Sequence, residues 1–374
     1  MNSEEFDIKM TRRALELAAL GTGLVSPGPL VGCVIVDADG KIAGEGTYFF
    51  DDVTHAEVAA LELAGDKAKG GTAYISLEPH SHHGRTPPCT EALIEAGIKR
   101  VVVPIEDPNP LVSGIGFATL REQGIEIREG ILKREAEIQN EKFIHWHRTG
   151  RPFVHLKFAG SLDGSCATRT GESKWITGEP ARGRGQLLRH QYDAILVGVN
   201  TVLADNPGLT DRSGLKRRRD LKRIVLDNRL RIDPLCSIVQ SASSIPVIVF
   251  CDRDADPGKA AKLSEMGVSV RKQKGGGKNL ASVLDALAAD DVQGVLVEGG
   301  PSVSGSFLDN RLVDKVTAFV SPLIIGGTGA LPAVGGEGPA SLAEALRLKD
   351  VRFERCGGDF EITGYPESRA PDGD

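Results

Sequence analysis

Three short segments contain residues that together could do hydrolytic metal chemistry: His55-Ala56-Glu57, Leu77-Glu78-Pro79-His80 and Arg85-Thr86-Pro87-Pro88-Cys89. Two imidazoles and a thiolate are ordinary zinc ligands. A carboxylate two residues after the first of them can sit beside the metal without binding it. Zinc makes water nucleophilic near neutral pH, and such a carboxylate can take the proton and return it to a leaving nitrogen. Hydrolytic removal of an amino group from a nucleobase needs this set of groups.

Each piece alone carries little weight. An H-x-E triplet is usually a plain helix start, and a lone cysteine is usually a small buried apolar residue. Their conjunction points to a zinc site of His55, His80 and Cys89, with Glu57 as proton carrier. Pro87-Pro88 favours a helix start at Cys89, where a thiolate is easier to form. His80 has rivals: His82 or His83 could be the second ligand, or the segment could bind nothing. Imidazole in place of a thiolate raises the net charge of the donor set by one.

These groups need a frame. The apolar pattern predicts a helix over 4–20 and a hairpin of strands 31–37 and 41–47 around Asp39-Gly40. It then predicts helix 55–64, strand 72–77, helix 88–96, strand 100–105, a helix near 116–122, strand 125–130 and helix 135–147. Strands alternating with helices indicate an α/β sheet covered on both faces. Arg148-Thr149-Gly150-Arg151-Pro152 reads as a boundary. Beyond it, strands are expected at 153–158, 194–199, 223–227, 246–251 and 294–298, with helices at 183–190 and 279–289. The expected organisation is one domain over 1–150, a second over 151–367 and a disordered tail over 368–374.

In the second half, Val297-Glu298-Gly299-Gly300-Pro301-Ser302 is a strand, a glycine turn and a helix start. Such a turn brings backbone amides and a helix dipole to a phosphate. There is no G-x-G-x-x-G, so a classical dinucleotide fold is not supported. Arg189 and Arg212 have guanidinium forks that suit a phosphate.

The chain has 374 residues, 40% hydrophobic and 26% charged, with a formal net charge of −6. An acidic balance speaks against nucleic acid as a partner. No apolar run approaches the ~20 residues that cross a bilayer, so no membrane partner is expected. The acidic start carries no apolar leader, and a cytoplasmic location is expected. The six cysteines are scattered, with no C-x-x-C pair, which argues against a disulfide framework.

From about residue 10 to 330 the chain resembles the bifunctional deaminase/reductase family of bacterial riboflavin biosynthesis. The resemblance rests on Val31-Gly32-Cys33-Val34-Ile35-Val36, His55-Ala56-Glu57, His82, Gly84-Arg85-Thr86-Pro87-Pro88-Cys89 and Asp107-Pro108-Asn109-Pro110. In the second half it rests on Leu156-Lys157, Ser161-Leu162-Asp163-Gly164, Gly171-Glu172-Ser173-Lys174-Trp175-Ile176-Thr177, Asp193–Gly198, Thr201–Pro207 and Val297–Pro301.

The resemblance implies a cytidine-deaminase-like first domain and a dihydrofolate-reductase-like second one. It implies two successive reactions: hydrolytic deamination of a diaminopyrimidinone ribosyl 5′-phosphate, then NADPH-dependent reduction of the ribosyl to a ribityl chain. One zinc ion per chain would sit on His55, His80 and Cys89, with His82, Arg85, Asp107 and Asn109 holding the first substrate. NADPH would contact Ala159, Trp175, Thr201, Asp205 and the run Gly300, Pro301, Ser302, Val303, Ser304, Gly305 and Ser306. The second substrate would contact Ser173, Arg189, Leu209, Arg212 and Glu298. Lys157 and Asp163 would be positioning residues. A homo-oligomer, dimer or tetramer, is also implied.

Three positions depart from the family pattern, all in the first half. Gly28 stands where the family has asparagine, Tyr48 where it has histidine, and His80 where it has cysteine. A reductase carrying a degenerate, structural deaminase domain is therefore the alternative reading.

Overall fold

The computed structural model describes residues 3–82, 87–110 and 112–367. The chain forms two compact units, 1–150 with 216–219, and 151–215 with 220–374. No helix among the described residues is long and apolar enough to cross a membrane.

The first unit contains α1 (Ser3–Ala19), β1 (Gly32–Val36), β2 (Ile42–Thr47), α2 (Ala56–Ala64), β3 (Thr72–Ile75), α3 (Cys89–Glu95), β4 (Arg100–Val103), α4 (Ile115–Glu122), β5 (Glu126–Glu129), α5 (Lys133–Gln139) and α6 (Glu141–Thr149). Its five-stranded sheet runs β2-β1-β3-β4-β5. β1 is antiparallel to both neighbours, while β3, β4 and β5 are parallel. The period-two alternation of β1 supplies both faces. Cys33 and Ile35 pack with Ala56 and Ala60 of α2, Leu93 of α3 and Phe117 of α4. Val34 and Val36 pack on the other face with Met10, Ala14 and Leu17 of α1. Arg100 ties α1 to β4 by donating from two nitrogens to the two Asp7 oxygens at 2.8 and 2.7 Å.

α2 lies unusually close to β2. A β-carbon on Gly44 would fall 2.0 Å from the Ala60 carbonyl oxygen, and one on Gly46 equally close to that of Ala56. Two glycines facing a run of alanines let the helix backbone rest on the strand. This contact fixes the height of the α2 N-terminus, where His55 and Glu57 sit.

The helix expected over 135–147 is two helices. Asn140 breaks it: its side-chain amide accepts from Leu30 N at 2.8 Å and donates to Leu30 O at 2.9 Å. The pair secures the chain just ahead of β1, at the expense of one helical turn.

The second unit contains β6 (Phe153–Ser161), β7 (Ser165–Ala167), α7 (Glu179–Gln191), β8 (Ala194–Gly198), α8 (Val199–Asp205), β9 (Lys222–Leu226), α9 (Ser237–Gln240), β10 (Val247–Asp252), α10 (Pro257–Glu265), β11 (Val268–Gln273), α11 (Leu280–Ala288), β12 (Gly294–Val297), α12 (Pro301–Asp309), β13 (Lys315–Ser321), β14 (Leu331–Pro332), β15 (Leu348–Cys356) and β16 (Asp359–Pro366). The main sheet runs β11-β10-β9-β8-β12-β6-β13-β16-β15, and β14 pairs with β7 apart from it. The first seven strands are parallel, and the central β8 and β12 are buried on both faces, which explains apolar runs such as Ala194–Gly198. The last two form an antiparallel hairpin. The sequence reading did not anticipate it, because β15 exposes nearly every side chain and its pattern is charged rather than alternating.

Candidate functional site

His55 caps α2 with extended backbone, so its ring stands clear of the helix start. Cys89 is the first residue of α3 and is fully buried. His80 follows β3, and its carbonyl accepts from Thr90 N at 3.3 Å, tying the two ligand segments together. The donor atoms of His55, His80 and Cys89 all lie within 4.8 Å of one another. His55 Nδ1 is 3.3 Å from Cys89 Sγ. Among the described residues this is the one group of three or more such side chains that could hold a metal. His82 is exposed and outside it, with its ring 5.3 Å from that of His80. His83 and Arg85 lie outside the described residues.

The donor set fits zinc on chemical grounds. Burial pushes the Cys89 thiol well above its ordinary range, and the adjacent Glu57 carboxylate pushes it further. Glu57 is itself buried, and its Oε2 has no hydrogen-bond partner among the described residues. A buried acid left this way is costly unless a cation or an ordered water answers it. A divalent ion on three converging donors would lower the thiol and leave Glu57 facing the open coordination position.

Asp107 and Asn109 sit on the loop after β4. Asp107 is buried, which raises its carboxyl to about 6, and it accepts from Asn109 N at 2.8 Å. The group that shapes this loop is one the sequence reading passed over. Buried Glu78 accepts from Asp107 N at 3.1 Å, Gly114 N at 3.0 Å and Phe117 N at 3.3 Å. Its place two residues before His80 was the available signal.

In the second unit, a cleft of about 860 Å³ opens at the carboxyl ends of the adjacent strands β9, β8 and β12. Its size suits a small ligand, and strand carboxyl ends are where open parallel sheets bind them. Thr201, Gly300, Pro301, Ser302, Val303 and Ser306 line it. Gly300 caps α12 without any side-chain cap and Pro301 follows at its first position, so the helix amides are open to an anion. Ser304 and Gly305 are buried on the other side of that helix; a β-carbon on Gly305 would meet the Gly335 carbonyl at 2.2 Å. Asn200, Arg229, Arg231 and Lys278 line the same cleft and were not foreseen. Arg231 donates to Asn200 Oδ1 at 2.5 Å, whereas Arg229 and Lys278 are exposed cations. The donor-rich turns could have been noticed, but only the sheet order brings them to one wall.

Trp175 is 70% exposed, with the Arg182 guanidinium 4.5 Å over its ring. Its neighbour Lys174 pairs with Asp205, at the end of α8, at 3.2 Å. Ala159 lies half-buried on β6 beside Phe319, and Ser173 is half-buried on the segment ahead of Trp175.

Lys157, Arg189 and Glu298 form one cluster. Arg189 Nε and Nη2 donate to the two Glu298 oxygens at 2.8 and 3.0 Å, and Lys157 Nζ is 3.7 Å from Oε2. Burial alone would raise the Glu298 carboxyl, but the two cations overcome it and hold it at about 2. The fork of Arg189 is therefore spent on a carboxylate, and its Nη1 donates to Thr210 O at 3.1 Å. The same loop buries Leu209 and bonds Asp211 to His190 at 2.9 Å. Arg212 is exposed there and makes no ion pair among the described residues. Asp163 anchors a turn. It accepts from Ser161 Oγ and from the amides of Gly326 and Ile325 at 2.7 and 3.1 Å, which hold it at about 2.

Fold and sites together define a hydrolytic zinc deaminase joined to a nucleotide-dependent reductase. Residues 4–105 match the cytidine and deoxycytidylate deaminase zinc-binding region, and residues 152–362 match the RibD C-terminal domain. The riboflavin biosynthesis protein RibD of Bacillus amyloliquefaciens is 41% identical over 361 residues, 96% of each chain. That of Actinobacillus pleuropneumoniae is 43% identical over 95% of this chain and 94% of its own. The crystal structure of a Thermotoga maritima diaminohydroxyphosphoribosylaminopyrimidine deaminase/5-amino-6-(5-phosphoribosylamino)uracil reductase superposes with a TM-score of 0.84 at 36% identity, covering 98% of this chain and 100% of the other. The chain belongs to the RibD family of riboflavin biosynthesis, with a deaminase half and a reductase half, and with zinc and NADPH as its cofactors.

Proposed function

We propose that both halves work in this chain, the departures at Gly28, Tyr48 and His80 notwithstanding. The first half would hydrolyse an amino group from the diaminopyrimidinone ribosyl 5′-phosphate, releasing ammonia. The second would reduce the ribosyl of the deaminated product to a ribityl chain. The observation that carries this reading is Glu57: a buried carboxylate oxygen without a partner among the described residues, next to three converging metal donors.

His55, His80 and Cys89 would hold zinc, which when bound supplies a Lewis acid that makes water nucleophilic near neutral pH. Glu57 Oε2 then takes the proton from the attacking water and delivers it to the departing nitrogen. His82, Arg85, Asp107 and Asn109 would hold the pyrimidine and its ribosyl phosphate, with Glu78 fixing the loop of Asp107 and Asn109.

In the second half, NADPH when bound would be the hydride donor for reduction of the ring-opened ribosyl chain. Thr201, Asp205, Ala159, Trp175 and the 300–306 turn would hold the cofactor, and Arg229, Arg231 and Lys278 its additional phosphate. Ser173, Leu209, Arg212, Arg189 and Glu298 would hold the substrate. Lys157 Nζ would give a proton as the ring opens, and Glu298, 3.7 Å away, would hold it in place.

We further propose a cytoplasmic homodimer or homotetramer, with the domains at 1–150 and 151–367. Light scattering of the purified protein checks the assembly. The central experiment measures ammonia release from the diaminopyrimidinone phosphate with and without NADPH. Release without NADPH, lost in Glu57→Ala at unchanged zinc content, is the expected result. NADPH oxidation on the deaminated substrate with no ammonia release from the first would leave a reductase alone.

A further inference from the structure

One loop of the second unit, running from α8 towards β9, is pinned along its length. Arg223 Nη1 donates to Gly208 O at 3.0 Å, Arg189 Nη1 to Thr210 O at 3.1 Å, and Arg212 N to Gln186 Oε1 at 2.9 Å. Asp211 Oδ2 lies 2.9 Å from His190 Nδ1, and a carboxylate can only accept, so the imidazole donates. Asp211 Oδ1 accepts from Ser213 N at 2.9 Å. Between the two pinned carbonyls Leu209 is buried with a φ of 50°, in the left-handed region where leucine is strained. Such backbone persists only where its surroundings fix it, and it gathers at ligand sites. Gln186, Arg189 and His190 all lie in the second half of α7. Arg189 also holds Glu298, so the end of one helix sets the loop against the Lys157–Glu298 cluster.

The His190–Asp211 pair joins two enclosed side chains, with 3% and 7% exposed. Removing either partner leaves the other buried without its bond. We propose that His190 and Asp211 are positioning residues of the reductase, their pair latching the 208–213 loop so that Leu209 and Arg212 are in place before the substrate arrives. Neither residue touches the reacting atoms. With the latch cut, the substrate has to order the loop as it binds, and that cost appears in KM rather than in kcat. NADPH binding is spared, because α8 is anchored separately: Asn206 Oδ1 accepts from Ser237 N at 2.7 Å. The proposal rests on the reductase reading above, in which Leu209 and Arg212 hold the substrate.

The test is steady-state reduction of the deaminated substrate by the full-length protein. KM for NADPH, ammonia release and trypsin cleavage after Arg212 are measured on the same preparations. In His190→Ala, KM for the deaminated substrate rises about tenfold, while kcat and KM for NADPH stay within about twofold of wild type. Ammonia release is unchanged. Without ligands, cleavage after the exposed Arg212 speeds up about tenfold, since the loop opens more often. Two amides separate position from bulk. His190→Asn places its nitrogen near Nδ1 and restores both readouts, whereas His190→Gln places its own near Nε2 and behaves like the alanine variant. The double variant His190→Ala/Asp211→Ala is no worse than either single change. An unchanged KM in His190→Ala and His190→Gln overturns the proposal. So does loss of kcat and NADPH binding in step with KM across the three His190 variants, or additive effects in the double variant. Wild-type protein that does not oxidise NADPH on the deaminated substrate overturns the underlying reading instead.

Discussion

At the deaminase centre Glu57 keeps a buried oxygen without a partner among the described residues, beside a thiol that burial holds protonated. At the reductase centre Glu298 is largely buried, its side chain 11% exposed, but Lys157 and Arg189 answer both its oxygens. The first arrangement calls for a cation from solution. The second carries its own counterions and is set before any ligand arrives. One chain thus shows two ways of keeping a carboxylate buried: lending its charge to a metal, or spending it on protein cations.

Metal removal gives the sharpest contrast. Dialysis against a chelator should lower ammonia release by on the order of 10³-fold or more and leave NADPH oxidation on the deaminated substrate unchanged. Zinc should restore the first activity. Equal loss of both would break the contrast.

Glu298→Gln is the mirror experiment. It leaves Lys157 and Arg189 half-buried without their anion, and reductase kcat/KM should fall by on the order of 10²-fold. Ammonia release should stay at the wild-type rate.

A smaller effect is expected at the far wall of the reductase cleft. Replacing Arg229 and Arg231 by alanine should cut the preference for NADPH over NADH about tenfold or more, mostly through KM for NADPH. A preference that survives both changes would move the phosphate-reading role elsewhere.

The smallest effect concerns pH, and the two carboxyls have opposite signs. Asp107 is raised from 3.8 to about 6, so the stability linked to its proton is present below 3.8 and lost as pH rises through about 6. Glu298 is lowered from 4.5 to about 2, so its stability is present above 4.5 and lost as pH falls towards about 2. Asp107→Asn should flatten denaturant stability between about 4 and 6, and Glu298→Gln should flatten it below about 4.5. Unchanged slopes would show that these groups titrate normally.

Much of this was legible in the residues. His55 and Cys89 were readable because each lies at a helix start, where sequence spacing translates directly into position. His80 over His82 became clear only once the β3–α3 loop was folded, since three histidines within four residues differ by a turn that no pattern encodes. The parallel strands β6, β8, β9, β10 and β12 were readable from their apolar runs, whereas β11 and β13, which mix polar with apolar residues, were not. The β15–β16 hairpin was not, because exposure removes the alternation that marks a strand. The role of Glu78 was hidden for another reason: its partners are backbone amides, which leave no trace in residue identity. The spent fork of Arg189 belongs to the same class, since its carboxylate lies 109 residues along the chain.

The two glycines of β2 bear on how mutations in this gene would be interpreted. A side chain at 44 or 46 meets helix backbone at 2.0 Å, and the contact opens only if α2 lifts. Lifting α2 carries a metal ligand and the proton carrier away together. In a library screened for growth without added riboflavin, positions 44 and 46 would therefore score like active-site residues, although neither reaches the substrate. A map of intolerant positions would draw the deaminase centre one strand too wide, and the excess would trace the footprint of a helix.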